Sequence, residues 1–251
     1  MLTISKPNEE LLDLLERDLY RNLNILYFLQ SNPNVRVYSL NEDYTRGVFA
    51  SYDDDTSGFY FAASYDVELI ETFLKNAPLE HIMFSGVPID MMELIIKGHN
   101  IIWENPCKTY VYDVDMPFIA VSNEYSVEEL KISDAETVDE FYTYKGEGSL
   151  DMLRADIERG PTACIRIGGK LASWCLVHGT DGSMGPMYTL GEYRKQGLAV
   201  ITANALVGKL YTAYHTPYVQ IVTTNAPALK LIEKLPYMKY THDCTWFGLS
   251  K

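Results

Sequence analysis

None of the four cysteines, Cys107, Cys164, Cys175 and Cys244, forms a C-x-x-C pair, which excludes a zinc ribbon and a thioredoxin-like redox centre. Set singly, three of them in strand-like stretches, they read as buried thiols of a reducing compartment. Positive charge is scarce: 21 Lys and Arg stand against 34 Asp and Glu, a net charge of −13. A nucleic-acid surface or adhesion to anionic lipid needs a cationic face, so neither nucleic acid nor membrane is expected as a partner. No apolar run approaches the roughly 18 residues of a membrane-crossing helix. Residues 1–8 lack a basic segment leading into an apolar one, so no signal peptide is expected and a cytoplasmic location is. Nucleotide motifs are missing too. Gly168-Gly169-Lys170 has no upstream P-loop glycine, and Gly179-x-x-Gly182-x-x-Gly185 runs into a strand pattern where a dinucleotide fingerprint needs a helix. Asp53-Asp54-Asp55 lacks the spaced carboxylates and glycine of a calcium loop and reads as a solvated turn. No metal is expected.

What is present is a core-forming chain: 47% hydrophobic and 22% charged residues over 251 positions suit one large or two medium domains. Leu11, Leu15, Leu19, Leu23 and Leu26 recur at helical spacing, predicting one helix over 7–30 that stops at Asn32-Pro33-Asn34. Strands follow at 35–40, 46–52 and 58–63, a helix at 66–76, a strand at 81–86, a helix at 88–97 closed by Gly98, and strands at 100–103 and 108–113. Residues 116–123 are the candidate linker, giving domains 1–122 and 123–251. Beyond it the pattern gives a strand at 129–132 and a helix opened by the capping box Ser133-Asp134-Ala135-Glu136 and running to Tyr144. A helix at 149–159 follows, then strands at 162–167 and 171–178 joined by Gly168-Gly169, and a strand at 184–190. A helix at 199–214 burying Val200, Ala203, Val207, Leu210 and Tyr214, a strand at 218–223 and a helix capped by Asn225 come next. Strands at 237–240 and 244–249 close the chain, with His242 and Asp243 in the hairpin between them. Residues 81–112 and 218–249 align without gaps at an offset of 137, Leu94 on Leu231, Ile95 on Ile232, Lys97 on Lys234 and Cys107 on Cys244. An internal duplication is expected from this.

The stretch Tyr193-Arg194-Lys195-Gln196-Gly197-Leu198-Ala199 lies between the strand at 184–190 and the helix at 199–214. Glycine at 197 lets a backbone approach a ligand closely. The first N–H groups of the following helix have no partner in the helix and point back into the loop, which suits a phosphate or pyrophosphate. Arg194 and Lys195 add positive charge where the rest of the chain is acidic.

From residue 129 the order is strand, helix, helix, three strands, helix, strand, helix, two strands. Together with Arg194-x-x-Gly197-x-Ala199, Asn225-x-x-Ala228 and Glu233-Lys234-Leu235, this resembles the GNAT superfamily of acyl-CoA-dependent N-acyltransferases over roughly residues 126–251. Thr189-Leu190-Gly191-Glu192-Tyr193-Arg194 with Gly197-Leu198 resembles its glycine N-acyltransferase and FR47-like branch. The resemblance implies an α/β protein of two tandem GNAT-like halves, each a mixed, mostly antiparallel sheet flanked by helices. The first half is degenerate, because residues 57–62, Ser-Gly-Phe-Tyr-Phe-Ala, carry no cation and start no helix.

The resemblance further implies acetyl-CoA or another acyl-CoA as co-substrate, without a metal. Met187, Tyr188 and Thr189 would meet the pantetheine amides and the reacting carbonyl. Arg194, Lys195, Gln196, Gly197, Leu198, Ala199 and Val200 would hold the pyrophosphate, and Asn225 would touch the pantetheine arm. The acyl group would pass to the amine of a small molecule or amino acid; a homodimer is left open. Each residue also has an ordinary structural role: a surface turn for the loop, a plain N-cap for Asn225, an edge strand for 184–190. The proton path has no assigned residue. The family's tyrosine position is Ile232, its glycine position is Pro236, and the strand before the loop has no glutamate. Glu192, Glu147, His178, Asp181, His242 and Asp243 are candidate bases and Tyr237 a candidate acid, beside a relayed water. The alternative is a non-catalytic acyl-CoA-binding or scaffold protein of the same fold. Transfer from aminoacyl-tRNA, which also occurs on tandem copies of this fold, is disfavoured by the net charge.

Overall fold

The computed structural model describes residues 1–53, 58–77, 81–116, 125–212 and 215–250; Asp54, Asp55, most of the candidate linker and Tyr214 lie outside them. Contacts divide the chain into two units, Met1–Thr109 with Gln220–Thr224 and Tyr240–Lys251, and Tyr110–Val219 with Asn225–Lys239. A single cut at 122/123 therefore does not describe these units, because the first takes back two C-terminal segments.

The first unit begins with a strand that the sequence pattern does not announce, β1 (Leu2–Ser5), followed by α1 (Glu9–Glu16) and α2 (Leu19–Ser31). One helix over 7–30 was expected and two are present. Asn8 caps α1 by accepting from the Leu11 N–H at 2.9 Å. Arg17 and Asp18 then fold back onto the Leu14 and Leu15 carbonyls, and the Asn22 amide also binds the Leu15 carbonyl, at 2.8 Å. Next come β2 (Val35–Leu40), β3 (Val48–Tyr52), β4 (Phe59–Ala63), α3 (Val67–Asn76), β5 (His81–Pro88), α4 (Ile89–Ile95) and β6 (Asn100–Tyr112). The two strands expected at 100–103 and 108–113 are one. Alternation along the strands feeds two cores. Val35, Val37, Ala50 and Phe61 pack with Leu11, Ile25 and Phe28 of the first two helices. Tyr38, Phe49, Tyr60 and Phe84 pack with Phe73, Met91 and Ile95 of α3 and α4.

The second unit holds β7 (Val127–Glu128), α5 (Ala135–Glu140), α6 (Ser149–Arg159), β8 (Ala163–Ile167), β9 (Lys170–Val177), β10 (Met184–Thr189) and α7 (Leu198–Thr212). The strand expected at 129–132 is shorter and earlier, because the Leu130 N–H is taken by Thr162 Oγ1 at 2.8 Å. The helix expected to reach Tyr144 ends at Glu140. Ser149 Oγ donates to Asp139, and Phe141 leaves the helix axis to stack on Tyr188 at 4.8 Å. β7 to β10 form an antiparallel sheet in the order β10-β9-β8-β7. Trp174 and Leu176 face Val138, Leu153 and Ile157 of α5 and α6, while Cys175 and Val177 face Leu206 and Leu210 of α7.

The chain closes with β11 (Tyr218–Val222), α8 (Ala226–Ile232) and β12 (Met238–Ser250). β12 is continuous, so His242 and Asp243 sit within a strand and not in a hairpin. The repeated segments thus read strand, helix, one long strand: β5-α4-β6 and β11-α8-β12. The eight-stranded sheet has the order β1-β2-β3-β4-β5-β12-β6-β11. β11 and β12, expected to complete a sheet of the second half, belong to this one, and Phe247 of β12 pairs opposite Phe84 of β5. All four cysteines are free and buried, as expected.

Candidate functional site

The basic loop joins β10 to α7 within the second unit. β10 is an edge strand of its sheet. On one side Met187, Tyr188 and Thr189 pair with Cys175, Trp174 and Ser173 of β9, and its other edge has no strand partner among the described residues. The register shifts between Met184 and Met187, across Gly185 and Pro186, and proline brings no N–H to a ladder. An extended ligand with its own amides can add to such an edge as a further strand.

After β10 the chain makes a 3-10 turn over Gly191–Tyr193. Lys195 then takes φ +62° and Gly197 φ +81°. For lysine this left-handed conformation costs about 1–2 kcal/mol; for glycine it is free of strain. Left-handed residues at alternate positions form the kind of turn in which successive N–H groups make an anion-binding concavity. A Cβ at Gly197 would meet nothing within 4 Å, so the glycine answers to backbone conformation and leaves open space above the loop. The N–H groups of Val200 and Ile201 return to the Gly197 carbonyl at 3.0 and 3.2 Å. Those of Gly197, Leu198 and Ala199 have no acceptor among the described residues. A helix of 15 residues thus starts with free donors and the positive end of its dipole at the loop.

Above them is a cavity of about 190 Å³. Thr189, Tyr193, Arg194, Lys195 and Gly197 line it from the strand end and loop, and Leu198, Ala199 and Val200 from the first turn of α7. Pro227, Lys230, Leu231 and Lys234 close it from the α8 side. Arg194 is anchored: its Nε donates to the Thr189 carbonyl at 3.0 Å, and its guanidinium lies 5.1 Å from the Tyr188 ring centre. That stacking holds the side chain in place while leaving terminal N–H groups for an anion. Asn225 caps α8, accepting from the Ala228 N–H at 3.2 Å.

The structure therefore brings together Thr189, Arg194, Lys195, Gly197, Leu198, Ala199 and Val200 of the expected residues. It does not bring Met187, Tyr188, Gln196 or Asn225 into the cavity lining. The Tyr188 ring packs on Phe141 and on Trp174 at 5.5 Å. The Gln196 amide reaches the Glu192 carbonyl at 3.5 Å and the Tyr125 hydroxyl reaches Gln196 Oε1 at 3.5 Å. Sequence reasoning missed Tyr193, Pro227, Lys230, Leu231 and Lys234. The available signal was spacing: Pro227, Lys230, Leu231 and Lys234 follow i, i+3, i+4, i+7, one face of a helix whose cap was already identified.

Among the candidates for proton transfer, Glu192 and Glu147 are exposed, beside the loop and between α5 and α6. Tyr237 is 2% exposed, and its hydroxyl donates to Asn204 Oδ1 at 2.5 Å. Burial, with Tyr112 adding, pushes its phenol well above the ordinary value. It is a satisfied core tyrosine and does not line the cavity. His242 and Asp243 belong to the first unit; burial and then Arg21 hold the His242 imidazole below its usual range. His178 and Asp181 lie at the end of β9 and in the turn after it. Among the described residues there is no cluster able to hold a metal ion, and no helix is long and apolar enough to cross a membrane.

Residues 164–247 match the model of the FR47-like protein family, a stretch from β8 into β12 that contains the basic loop. No curated protein matches the sequence. A Drosophila protein solved by a structural genomics consortium superposes with a TM-score of 0.80 at 19% identity, over 98% of each chain. A GNAT-family acetyltransferase from Colwellia psychrerythraea gives 0.57 at 14% identity over the whole of both chains. A tandem GNAT protein from the clavulanic acid biosynthesis pathway, solved without AcCoA, gives 0.58 at 12% identity, over 100% of this chain and 98% of its own.

Proposed function

From the premise that the chain has the GNAT acetyltransferase fold and carries the FR47-like pattern in its second half, we propose that it transfers an acyl group from acetyl-CoA, or another acyl-CoA, to the amine of a small molecule or amino acid. The observation that carries this reading is the cavity over the free N–H groups of Gly197, Leu198 and Ala199. Arg194, Lys195, Lys230 and Lys234 surround it, and no acidic side chain lines it. In a chain of net charge −13 this concentration of cations fits a polyanion. The donor's pyrophosphate would sit on the loop, and Lys230 of α8 with Lys234 in the turn just past its end suit a further phosphate of the same ligand. The pantetheine amides would pair with the free edge of β10. The four buried free thiols favour a reducing, cytoplasmic setting.

Titration calorimetry with acetyl-CoA and CoA tests the donor site. Wild type is expected to bind in the micromolar range. An Arg194→Ala, Gly197→Glu double variant is expected to lose binding, and a Lys230→Ala, Lys234→Ala variant to lose about tenfold, a little over 1 kcal/mol, with a shallower salt dependence. Absence of binding by wild type sinks the reading. A second reading, a non-catalytic acyl-CoA binder, is favoured by Ile232, buried where the family has a tyrosine. Thiol release from acetyl-CoA across an amine panel separates the two.

A further inference from the structure

The turn that follows β9 carries polar groups that the donor site does not use. Two buried carboxyls set its shape. Asp156 of α6 is 6% exposed and accepts from the Gly179 N–H through Oδ1 at 3.0 Å. Asp181 is fully buried; its Oδ1 accepts from the Ser183 N–H at 3.0 Å and from Ser183 Oγ at 2.8 Å. Each carboxyl keeps a buried second oxygen, Oδ2, without a hydrogen-bond partner. An unpaired buried acceptor is costly.

His178 lies beside Asp156. Its Nδ1 faces Asp156 Oδ2 at 3.8 Å, a separation longer than a direct hydrogen bond. Its other nitrogen points away from the carboxylate. A Cβ placed on Gly185 would lie 3.0 Å from Nε2, so the imidazole occupies the space that a side chain at 185 would fill. Gly185 sits in β10 where the register against β9 is interrupted. No described residue hydrogen-bonds Nε2, and the side chain is 25% exposed. The surroundings are acidic or neutral: Asp156 from α6, Asp181 from the turn, Tyr142 from the stretch after α5, and Tyr218 of β11, whose hydroxyl donates to the Asp181 carbonyl. Burial drives the Asp181 carboxyl above its usual range. It pushes the Tyr142 phenol up to about 12, with Asp156 adding.

We infer that His178 Nε2 accepts the proton of the attacking amine, with Asp156 as the residue that positions the ring. The inference rests on the acyl-transfer reading. Gly185 lies four residues before Thr189, about 13 Å along an extended strand, a span that a pantetheine arm running from the loop along the edge of β10 would cover. The amine nitrogen bonds to the thioester carbon, and the carbonyl pair moves onto oxygen. The nitrogen gives one proton to Nε2. The carbonyl re-forms as the carbon–sulfur bond breaks, and the leaving thiolate takes a proton from the imidazolium. Amide and CoA thiol leave, and His178 is neutral again. Asp156 Oδ2 compensates the imidazolium while it exists, which accounts for a carboxylate oxygen held without a neutral donor.

Donor affinity by calorimetry and transfer rates to an amine panel are measured together, against pH, for wild type, His178→Gln and Asp156→Asn. His178→Gln is expected to bind acetyl-CoA as wild type does, to lose at least about 100-fold in kcat, and to lose the acid limb of the kcat/KM profile. Asp156→Asn is expected to lower kcat with the amine KM unchanged and to displace that limb. A wild-type rate and profile in a folded His178→Gln overturns the inference and leaves acyl transfer standing. Wild type that binds acetyl-CoA yet acylates no amine overturns the transfer reading, and the inference with it. A readout independent of any variant's folding is the His178 ring signal by NMR. Acetyl-CoA is expected to shift it in wild type, and a signal unmoved at saturation overturns the inference.

Discussion

Tyr237 shows what a residue's neighbours do to an assignment made from chain position. Its place near the end of α8 makes it a candidate acid, yet its hydroxyl is committed to Asn204, itself 5% exposed. A phenol that is buried and held above its ordinary pKa is a poor partner for a thiolate at neutral pH. Tyr237→Phe should therefore leave the transfer rate of folded protein unchanged. It should destabilise the chain by about 1–3 kcal/mol, because Asn204 Oδ1 loses its donor. Urea unfolding beside a rate assay checks this; a collapsed rate with intact stability would restore the tyrosine to the chemistry. At this scale the sequence shows local signals well. The loop glycine, the Asn225 cap and the two loop cations are legible because each acts on its own backbone or its immediate neighbours. His178 and Asp181 are read from the sequence only as separate candidate bases; their grouping with Asp156 is not legible, because the three come from a strand end, a turn and a helix that only tertiary packing brings together.

The start of α5 is set at the element scale. Arg166 of β8 reaches both oxygens of Asp134, at 3.0 and 2.5 Å, and the Lys131 N–H binds the same carboxylate at 2.7 Å. Burial would raise the Asp134 pKa, but the Arg166 guanidinium and the Lys131 N–H outweigh it and hold it below its usual value. A depressed carboxyl contributes stability above its unfolded pKa of about 3.9 and loses it as pH falls through the lower folded value. Arg166→Gln, which leaves a largely buried carboxylate without its cation, should cost about 3 kcal/mol at pH 7. It should also flatten the loss of stability below about pH 4; denaturant curves at pH 7 and pH 3 test both. The same element shows why the helix here is misread from sequence. Ser133 to Glu136 has the composition of a capping box, but Asp134 is used by a strand and by a preceding turn. Elsewhere local pattern suffices: β2 and α6 match their expected bounds, since alternation and helical spacing act over a few residues. Where an element is broken or joined by contacts distant in sequence, as at Arg17–Asp18 or along β6 and β12, the local pattern gives the wrong count.

For the whole molecule the consequence lies in the course of β12. Composition places a boundary at the linker, and the FR47-like match begins beyond it, so residues 125–251 look separable. Yet β12 lies between β5 and β6 in the eight-stranded sheet. Phe247 and Leu249 are fully buried there, with Phe247 stacked on Phe84 at 5.0 Å. Leaving those two side chains in water forfeits about 3–6 kcal/mol, a large part of the 5–15 kcal/mol that holds a typical domain together. It also leaves a long strand with open edges, which promotes aggregation. Residues 1–116 alone would in turn miss a central strand of their sheet. Neither 1–116 nor 125–251 should unfold cooperatively when expressed alone, and the two co-expressed should recover a soluble pair that binds acetyl-CoA. A soluble, cooperatively unfolding 125–251 fragment with full donor affinity would show instead that the exchanged strand is dispensable, and that the first half contributes nothing to the fold of the second.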